Sequence, residues 1–347
     1  MKKFYGIEIL RFFTSISVLI YHYRHFFAPY NSTSNLSYFD INVTLPLYNF
    51  LGILYEHGIF GVHVFYTISG FVFAHIYLST NKSVSSKNFF INRFGRLYPL
   101  HFATLILVSF LQLYSFIKFE SFQIIQINDL YHFILNIFFI SSWGFESGHS
   151  FNAPIWSVSV EVAIYIFFFV LLSFIRKHKM YFLIILSIAL LAIDKAKIFD
   201  TLFLECARLF FSGSLIYYFF SMKFNHGMYF LLSVIFIFAA FLGNFKTFIF
   251  CPGLILFFVC LDKYIKNNST QSLFRNLGNL TYSLYLIHLP IQIFILIVFK
   301  LLNINEILFT NLYFFLLFFL FLIFLAFYCF KFYEKPLNEL IRKKFSL

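Results

Sequence analysis

The chain has 347 residues, of which 61% are hydrophobic and only 12% charged. Soluble domains carry about 25% charged residues, so the composition excludes a soluble enzyme and describes a polytopic membrane protein with little mass outside the bilayer. The net charge of +12 raises nucleic acid as a partner, but the placement of the cations excludes that and assigns the basicity to topology.

Ten apolar segments are predicted as transmembrane helices, making the fold class an all-α polytopic membrane protein. They run roughly over 7–27, 58–79, 97–118, 155–175, 180–194, 200–221, 227–243, 247–262, 279–300 and 309–331. Several are short for about 30 Å of hydrocarbon. With the N-terminus in the cytoplasm, 18 of the 26 Lys and Arg fall inside. Six fall outside, and Arg11 and Arg208 lie within spans. This asymmetry obeys the positive-inside rule and puts the C-terminus in the cytoplasm too. The stretch 129–142 is apolar, but a full crossing there would push Arg176, Lys177 and Lys179 outside. It is therefore expected to be re-entrant or interfacial, within an external segment 119–154 that has no Lys or Arg. The first segment has no small-residue cleavage site and carries an arginine, so it reads as a retained span and not a removable signal peptide. No soluble domain, linker or tandem repeat appears, and residues 1–347 read as a single transmembrane domain. Cys206, Cys251, Cys260 and Cys329 lie in or beside apolar runs without the close spacing of a metal or redox motif, and read as inert buried thiols.

The polar residues inside these segments carry the chemistry. Arg11 and His22 are eleven positions apart, about 20° around a helix and about 16 Å along it. They share one face at two depths. An arginine in an isolated span costs about 3 kcal/mol or more, so the pair implies a polar interior and hence an enzyme or a transporter. Glu8, three residues before Arg11, can form an intrahelical ion pair. His22 can exchange a proton, with a packing imidazole as the plainer alternative. His25, beside Arg24, reads as interfacial. Ser69-Gly70, within Val64–Phe71, permits close helix approach and makes Ser69 a candidate. In Asn92–Pro99, where a cytoplasmic loop is expected to enter a helix, Arg93 and Arg96 stand one turn apart and could clamp phosphates. Membrane-edge anchoring is the alternative. Ala153–Glu161 begins a span and places Glu161 about one and a half turns inside, where a carboxylate is a functional candidate by default. Arg208, with Glu205 one turn before it, opens the run to Gly213. Leu280–Pro290 carries His288 near mid-membrane. Tyr333-Glu334-Lys335-Pro336 is expected to close the last helix as a structural cap.

In this order the motifs resemble those of the acyltransferase 3 family, integral membrane O-acyltransferases of bacterial surface polysaccharides. The resemblance rests on arginine, ten residues, histidine; Ser-Gly-Phe; Arg-x-x-Arg-Leu-x-Pro; Trp-Ser-x-Ser-x-Glu; Tyr-Ser-x-Tyr-x-x-His; and Glu-Lys-Pro. Each is weak alone, but six in order cover nearly the whole chain. The resemblance implies a catalytic His22 paired with Arg11, an acyl-CoA-associated Arg93 and Arg96, and an acidic functional position at Glu161. Glu8 stands where the family commonly has Asp, and Val162 and Ala163 replace a usual Glu-Gln. No extracytoplasmic hydrolase-like domain follows the tenth segment, so the expectation is a stand-alone form that completes transfer within the membrane domain or with a partner.

The expected activity is transfer of an acyl group, acetyl above all, from cytoplasmic acetyl-CoA as donor substrate to a hydroxyl of a cell-surface or exported carbohydrate. No metal is expected. His22 as general base and His22 as covalent carrier both stay open. Arg11 would organise the interior or stabilise an oxyanion. Expected partners are acyl-CoA, the carbohydrate acceptor and the lipids of a bacterial cytoplasmic membrane, with no nucleic acid. A homo-oligomer or polysaccharide-assembly partners are compatible with this reading. The alternative is a transporter or flippase of a polysaccharide or lipid-linked sugar. Charged residues in a bundle serve that equally well, but a basic cytoplasmic pair favours the enzyme.

Overall fold

A computed structural model describes residues 3–27, 45–79, 84–197, 201–222, 224–242 and 246–345. The expectations for most of the stretch between the first two segments, and for Lys2, Lys82 and Lys223, lie outside the described residues. The helices are α1 (Tyr5–Tyr23), α2 (Tyr48–His57), α3 (Phe60–Tyr77), α4 (Ser86–Phe119), α5 (Leu130–Ile137), α6 (Ile155–Lys195) and α7 (Leu202–Ser221). They continue as α8 (His226–Leu242), α9 (Lys246–Leu261), α10 (Asn268–Leu301), α11 (Leu312–Cys329) and α12 (Lys335–Phe345). Among the described residues there is no β-strand, and an isolated parallel bridge joins Ile127 and Ser150.

The fold is all-α, and each of the ten expected segments falls on a helix. Six helical stretches among the described residues have the length and apolar composition to cross a membrane. These are α3, α4, α6, α7, α10 and the run Leu312–Phe345; α8 and α9 are shorter. The 41-residue α6 carries a non-helical Lys179 (φ 50°, ψ −127°), at the basic cluster separating two expected segments. There Arg176 donates through Nε and Nη2 to the Tyr77 carbonyl at 3.1 and 2.8 Å, satisfying a carbonyl at the end of α3 that has no helical partner. The stretch 129–142 holds only the eight-residue α5, about 12 Å long and far too short to cross.

Two boundaries differ from expectation. Arg93, Arg96 and Pro99 do not lie where a loop enters a helix, because α4 already begins at Ser86. Helix formers flank Pro99, and two tyrosines stabilise the turn around it. Tyr282 donates to the Leu97 carbonyl at 2.6 Å and Tyr333 to the Pro99 carbonyl at 3.2 Å. The Glu-Lys-Pro motif does not end the last helix either. A π-helical turn, Phe330–Glu334, leads into α12. Pro336 follows that π turn inside the continuous helical run Leu312–Phe345. Glu334 is buried and accepts a hydrogen bond from Ser283 at 2.7 Å, so it is not an exposed cap.

The chain forms two compact units. The first comprises residues 1–14, 60–86 and 160–279. Its centre is the α3–α7 seam, where a Cβ on Gly70 would strike the Phe210 carbonyl and one on Gly213 would strike the Thr67 carbonyl. Two glycines facing opposite ways let the backbones touch, and Ser214 donates across the seam to the Gly70 carbonyl at 3.0 Å. Phe73, Phe168 and Phe210 meet edge to face beside it.

The second unit comprises residues 15–59, 87–159 and 280–347. The buried Tyr23 hydroxyl donates to the Phe309 carbonyl at 2.8 Å, and Phe26 and Phe299 stack on the Phe309 ring at 4.5 and 4.6 Å. Segment 120–154 is fixed to α4 by polar bonds that a buried backbone requires. Gln112 exchanges two hydrogen bonds with the Gln123 backbone at 2.8 and 2.9 Å, and His101 Nε2 donates to the Asn136 carbonyl at 2.8 Å.

Candidate active site

His22 occupies the last turn of α1 and is 1% exposed. Its Nδ1 lies 3.0 Å from His25 Nε2, a hydrogen bond between two imidazoles. His288, also 1% exposed, places its ring centre 5.0 Å from that of His22. Gln292, one turn after His288 on α10, donates to the His22 backbone carbonyl at 2.9 Å and holds the turn in place. The end of α1, the 3-10 turn Arg24–Phe26 after it and α10 thus bring three imidazoles together, two of them buried. A hydrogen bond from one ring to the next fixes the tautomer of the donor, whose other nitrogen then keeps a lone pair that can act as a base. Among the described residues no three His, Cys, Asp or Glu side chains are placed to hold a metal ion.

The same unit joins motifs far apart in sequence. Ser157 and Tyr285 share a hydrogen bond at 2.8 Å, and Tyr285 donates to the Pro154 carbonyl at 3.0 Å. Asn152 donates to the Leu286 carbonyl at 3.0 Å. Ser159 donates to the Phe139 carbonyl at 2.7 Å, and Trp143 to the Ser159 carbonyl at 2.9 Å. The serines of Trp-Ser-x-Ser therefore tie the start of α6 to α10 and to segment 120–154. Arg93 and Arg96 are half-buried on α4, two turns or fewer from the tyrosine-braced Pro99. Arg96 pairs with no carboxylate among the described residues.

The first unit holds the remaining charged candidates, Glu8, Arg11, Glu161 and Arg208, each with a partner. Arg11 and Glu8 meet at 3.0 Å, one turn apart on α1 as their spacing predicts. Ser69 donates to Glu161, and its oxygen lies 3.3 Å from the Tyr165 hydroxyl, so the Ser-Gly motif and the Trp-Ser-x-Ser-x-Glu carboxylate form one cluster. Arg208 pairs with Asp194 of α6 rather than with Glu205. Glu205 instead meets His63 Nε2 at 3.0 Å.

His22 and His288 are brought together in the second unit, while Glu8, Arg11, Ser69, Glu161 and Arg208 belong to the first. Sequence reasoning set His25 at the interface. The i, i+3 spacing from His22 was the signal for its place beside that ring, obscured by Arg24 next to it. Gln292 and the buried Glu334 carried no motif signal of that kind beyond the Glu-Lys-Pro string.

Comparison with known proteins agrees with this set of motifs. Residues 4–331 match the acyltransferase domain family. Over 152 residues the chain is 28% identical to the peptidoglycan O-acetyltransferase OatA of Listeria monocytogenes serovar 1/2a, covering 39% of this chain and 24% of that protein. The chain thus spans about a quarter of the length of this curated relative. No solved structure matches it. With the family match covering nearly all of its length and its motifs borne on an all-helical membrane fold, the chain belongs to the acyltransferase 3 family.

Proposed function

We propose that the protein is an O-acyltransferase, with acetyl as its acyl group, that modifies a hydroxyl of a cell-surface or exported carbohydrate. Residues 1–347 act as one transmembrane domain in a bacterial cytoplasmic membrane, crossing ten times with both termini in the cytoplasm. The donor is cytoplasmic acetyl-CoA. Arg93 and Arg96, one turn apart on α4, hold its phosphates, and the extended thioester arm enters the bundle. The OatA relative acts on peptidoglycan by its name, which supports an envelope polymer as the acceptor class.

The observation that carries the reading is the cluster of the buried His22 and His288 with the half-buried His25. With His25 Nε2 accepting the proton on His22 Nδ1, His22 Nε2 carries the lone pair. As a base it removes the proton of the acceptor hydroxyl; the new C–O bond forms, the C–S bond breaks, and the proton leaves on the CoA thiol. As a nucleophile it takes the acetyl group first and passes it to the hydroxyl. The same nitrogen serves both routes. Arg11 and Glu161, each held by a partner in the first unit, contribute oxyanion stabilisation and acceptor contacts.

Purified protein in liposomes, supplied with labelled acetyl-CoA and a soluble fragment of the envelope polymer, should consume the thioester and label the fragment. His22→Ala should do neither. Polymer from His22→Ala cells acetylated at the wild-type level would overturn the assignment, and polymer missing altogether would point to an exporter.

A further inference from the structure

Segment 120–154, in the second unit and between α4 and α6, carries an arrangement that the membrane site does not use. His132 sits in the first turn of α5 and is 4% exposed. Asp129 is the N-cap of that helix, its Oδ1 accepting from the His132 backbone N–H at 2.9 Å. The other carboxylate oxygen lies 2.8 Å from His132 Nδ1. On the far side of the ring, His132 Nε2 is 3.0 Å from the Ser147 hydroxyl oxygen and accepts from the Ser147 backbone N–H at 3.2 Å. A carboxylate accepts only, so Nδ1 carries the ring proton and Nε2 presents its lone pair to serine. The His132 backbone N–H holds the Asp129 carboxyl below its ordinary range, which keeps it an anion. Ser147 itself is exposed, in the turn Gly144-Phe145-Glu146-Ser147-Gly148.

Pinning a loop needs one such bond. Here a buried ring is engaged at both nitrogens, with an anion behind it and an exposed hydroxyl in front. That order of groups activates a serine on several unrelated folds, where it is recognised by geometry and not by sequence position.

We propose that Ser147, His132 and Asp129 form a second nucleophilic centre that receives an acyl group as an ester on the Ser147 oxygen and passes it to a carbohydrate hydroxyl. This rests on the acyltransferase reading, which supplies the activated acyl group as a thioester or as an acyl-imidazole. The Ser147 oxygen attacks the acyl carbon while His132 Nε2 takes its proton. The C–S or C–N bond breaks, and the leaving thiol or imidazole takes that proton from His132. In the second half the acceptor hydroxyl attacks the ester, its proton goes to His132, and the serine oxygen leaves and recovers it. Asp129 keeps the tautomer and stabilises the imidazolium in both halves.

A reporter-bearing fluorophosphonate, which reacts with activated serines, tests the centre directly on the full chain in detergent, with the labelled peptide mapped by mass. Wild type should be labelled at Ser147, and Ser147→Ala should lose the label. His132→Gln should slow labelling about 100-fold or more, and Asp129→Asn at least about tenfold. A Ser147→Cys variant guards against misfolding of the others: its thiol should alkylate at lower pH than an ordinary cysteine and revert when His132→Gln is added. His22→Ala should leave Ser147 labelling unchanged, so failure of the membrane site and failure of this centre separate. An unlabelled Ser147 in folded wild type, or labelling indifferent to His132, would overturn the proposal. So would full acetylation of the polymer fragment by Ser147→Ala, which would leave the function of His22 standing.

Discussion

The charged candidates of the first unit and the imidazoles of the second are partnered in different ways. In the first, carboxylates meet cations or donors: Glu8 with Arg11, Asp194 with Arg208, Glu205 with His63, Glu161 with Ser69. In the second, the group at the end of α1 is imidazole against imidazole. Pairing of opposite charges offsets the cost of removing each from water, and it also fixes the protonation state of both partners. An imidazole beside a second imidazole carries no fixed charge and keeps a nitrogen that can take up a proton from a reacting group. The pairs of the first unit are thus suited to holding charge in place, and the imidazole group at the end of α1 to taking up and releasing a proton.

The largest effect expected from breaking this contrast is at His22. General acid–base catalysis contributes about 10²–10⁴-fold, and acetyl transfer by His22→Ala in proteoliposomes should fall by that much while insertion and acyl-CoA binding persist. His25→Ala should lose about tenfold, because it removes the partner that fixes the His22 tautomer and not the reacting nitrogen; an equal loss in both would make the two rings a single functional group. In the first unit, Glu161→Gln keeps the shape and removes the charge. A hydrogen bond to a charged group contributes about 1.5–3 kcal/mol, so a loss of about 10- to 100-fold in turnover is expected, with expression unchanged. A silent Gln would reduce Glu161 to helix packing with Ser69. Arg96→Ala should raise the apparent KM for acetyl-CoA about tenfold, with Lys rescuing only in part because its ammonium lacks the bidentate fork. An unchanged KM in an Arg93→Ala, Arg96→Ala double variant would remove the clamp.

The smallest expected effect concerns pH. Burial lowers the His149 pKa below its ordinary value. The unfolded segment therefore binds the proton more readily than the folded one, and stability rises with pH through that window. The turn around Ser147 should be fully protected from protease above about pH 6.5 and lose protection as pH falls below it. His149→Gln should flatten that dependence.

Much of this was legible in the sequence because apolar runs and helical spacing are local. The Glu8–Arg11 pair follows from a three-residue separation, and the candidacy of His22 from the length of helix that carries it. The start of α4 at Ser86 and the continuation through Glu334 were missed because loop-like polar residues at a membrane edge extend a helix as readily as they end it. The pairing of Ser283 with Glu334 joins residues 51 positions apart, and no periodicity reports such a contact. The spacing of Asp129 and His132 is local, but their link to Ser147 was invisible for the same reason: the serine lies 15 residues beyond the histidine, across a turn that no repeat or motif marks. The sorting of polar candidates into two units is likewise a property of packing between distant helices.

The seam between α3 and α7 bears on the chemistry through what is missing from it. Ser69, which reaches Glu161, is the immediate neighbour of Gly70, whose absent side chain is what lets the two helices touch. In lipid there is no water to press helices together, so the reach of that hydroxyl is gauged by a hydrogen atom where any other residue has carbon. A single methyl group at position 70 would act as a shim, displacing the Ser69 hydroxyl from its carboxylate without altering either of them.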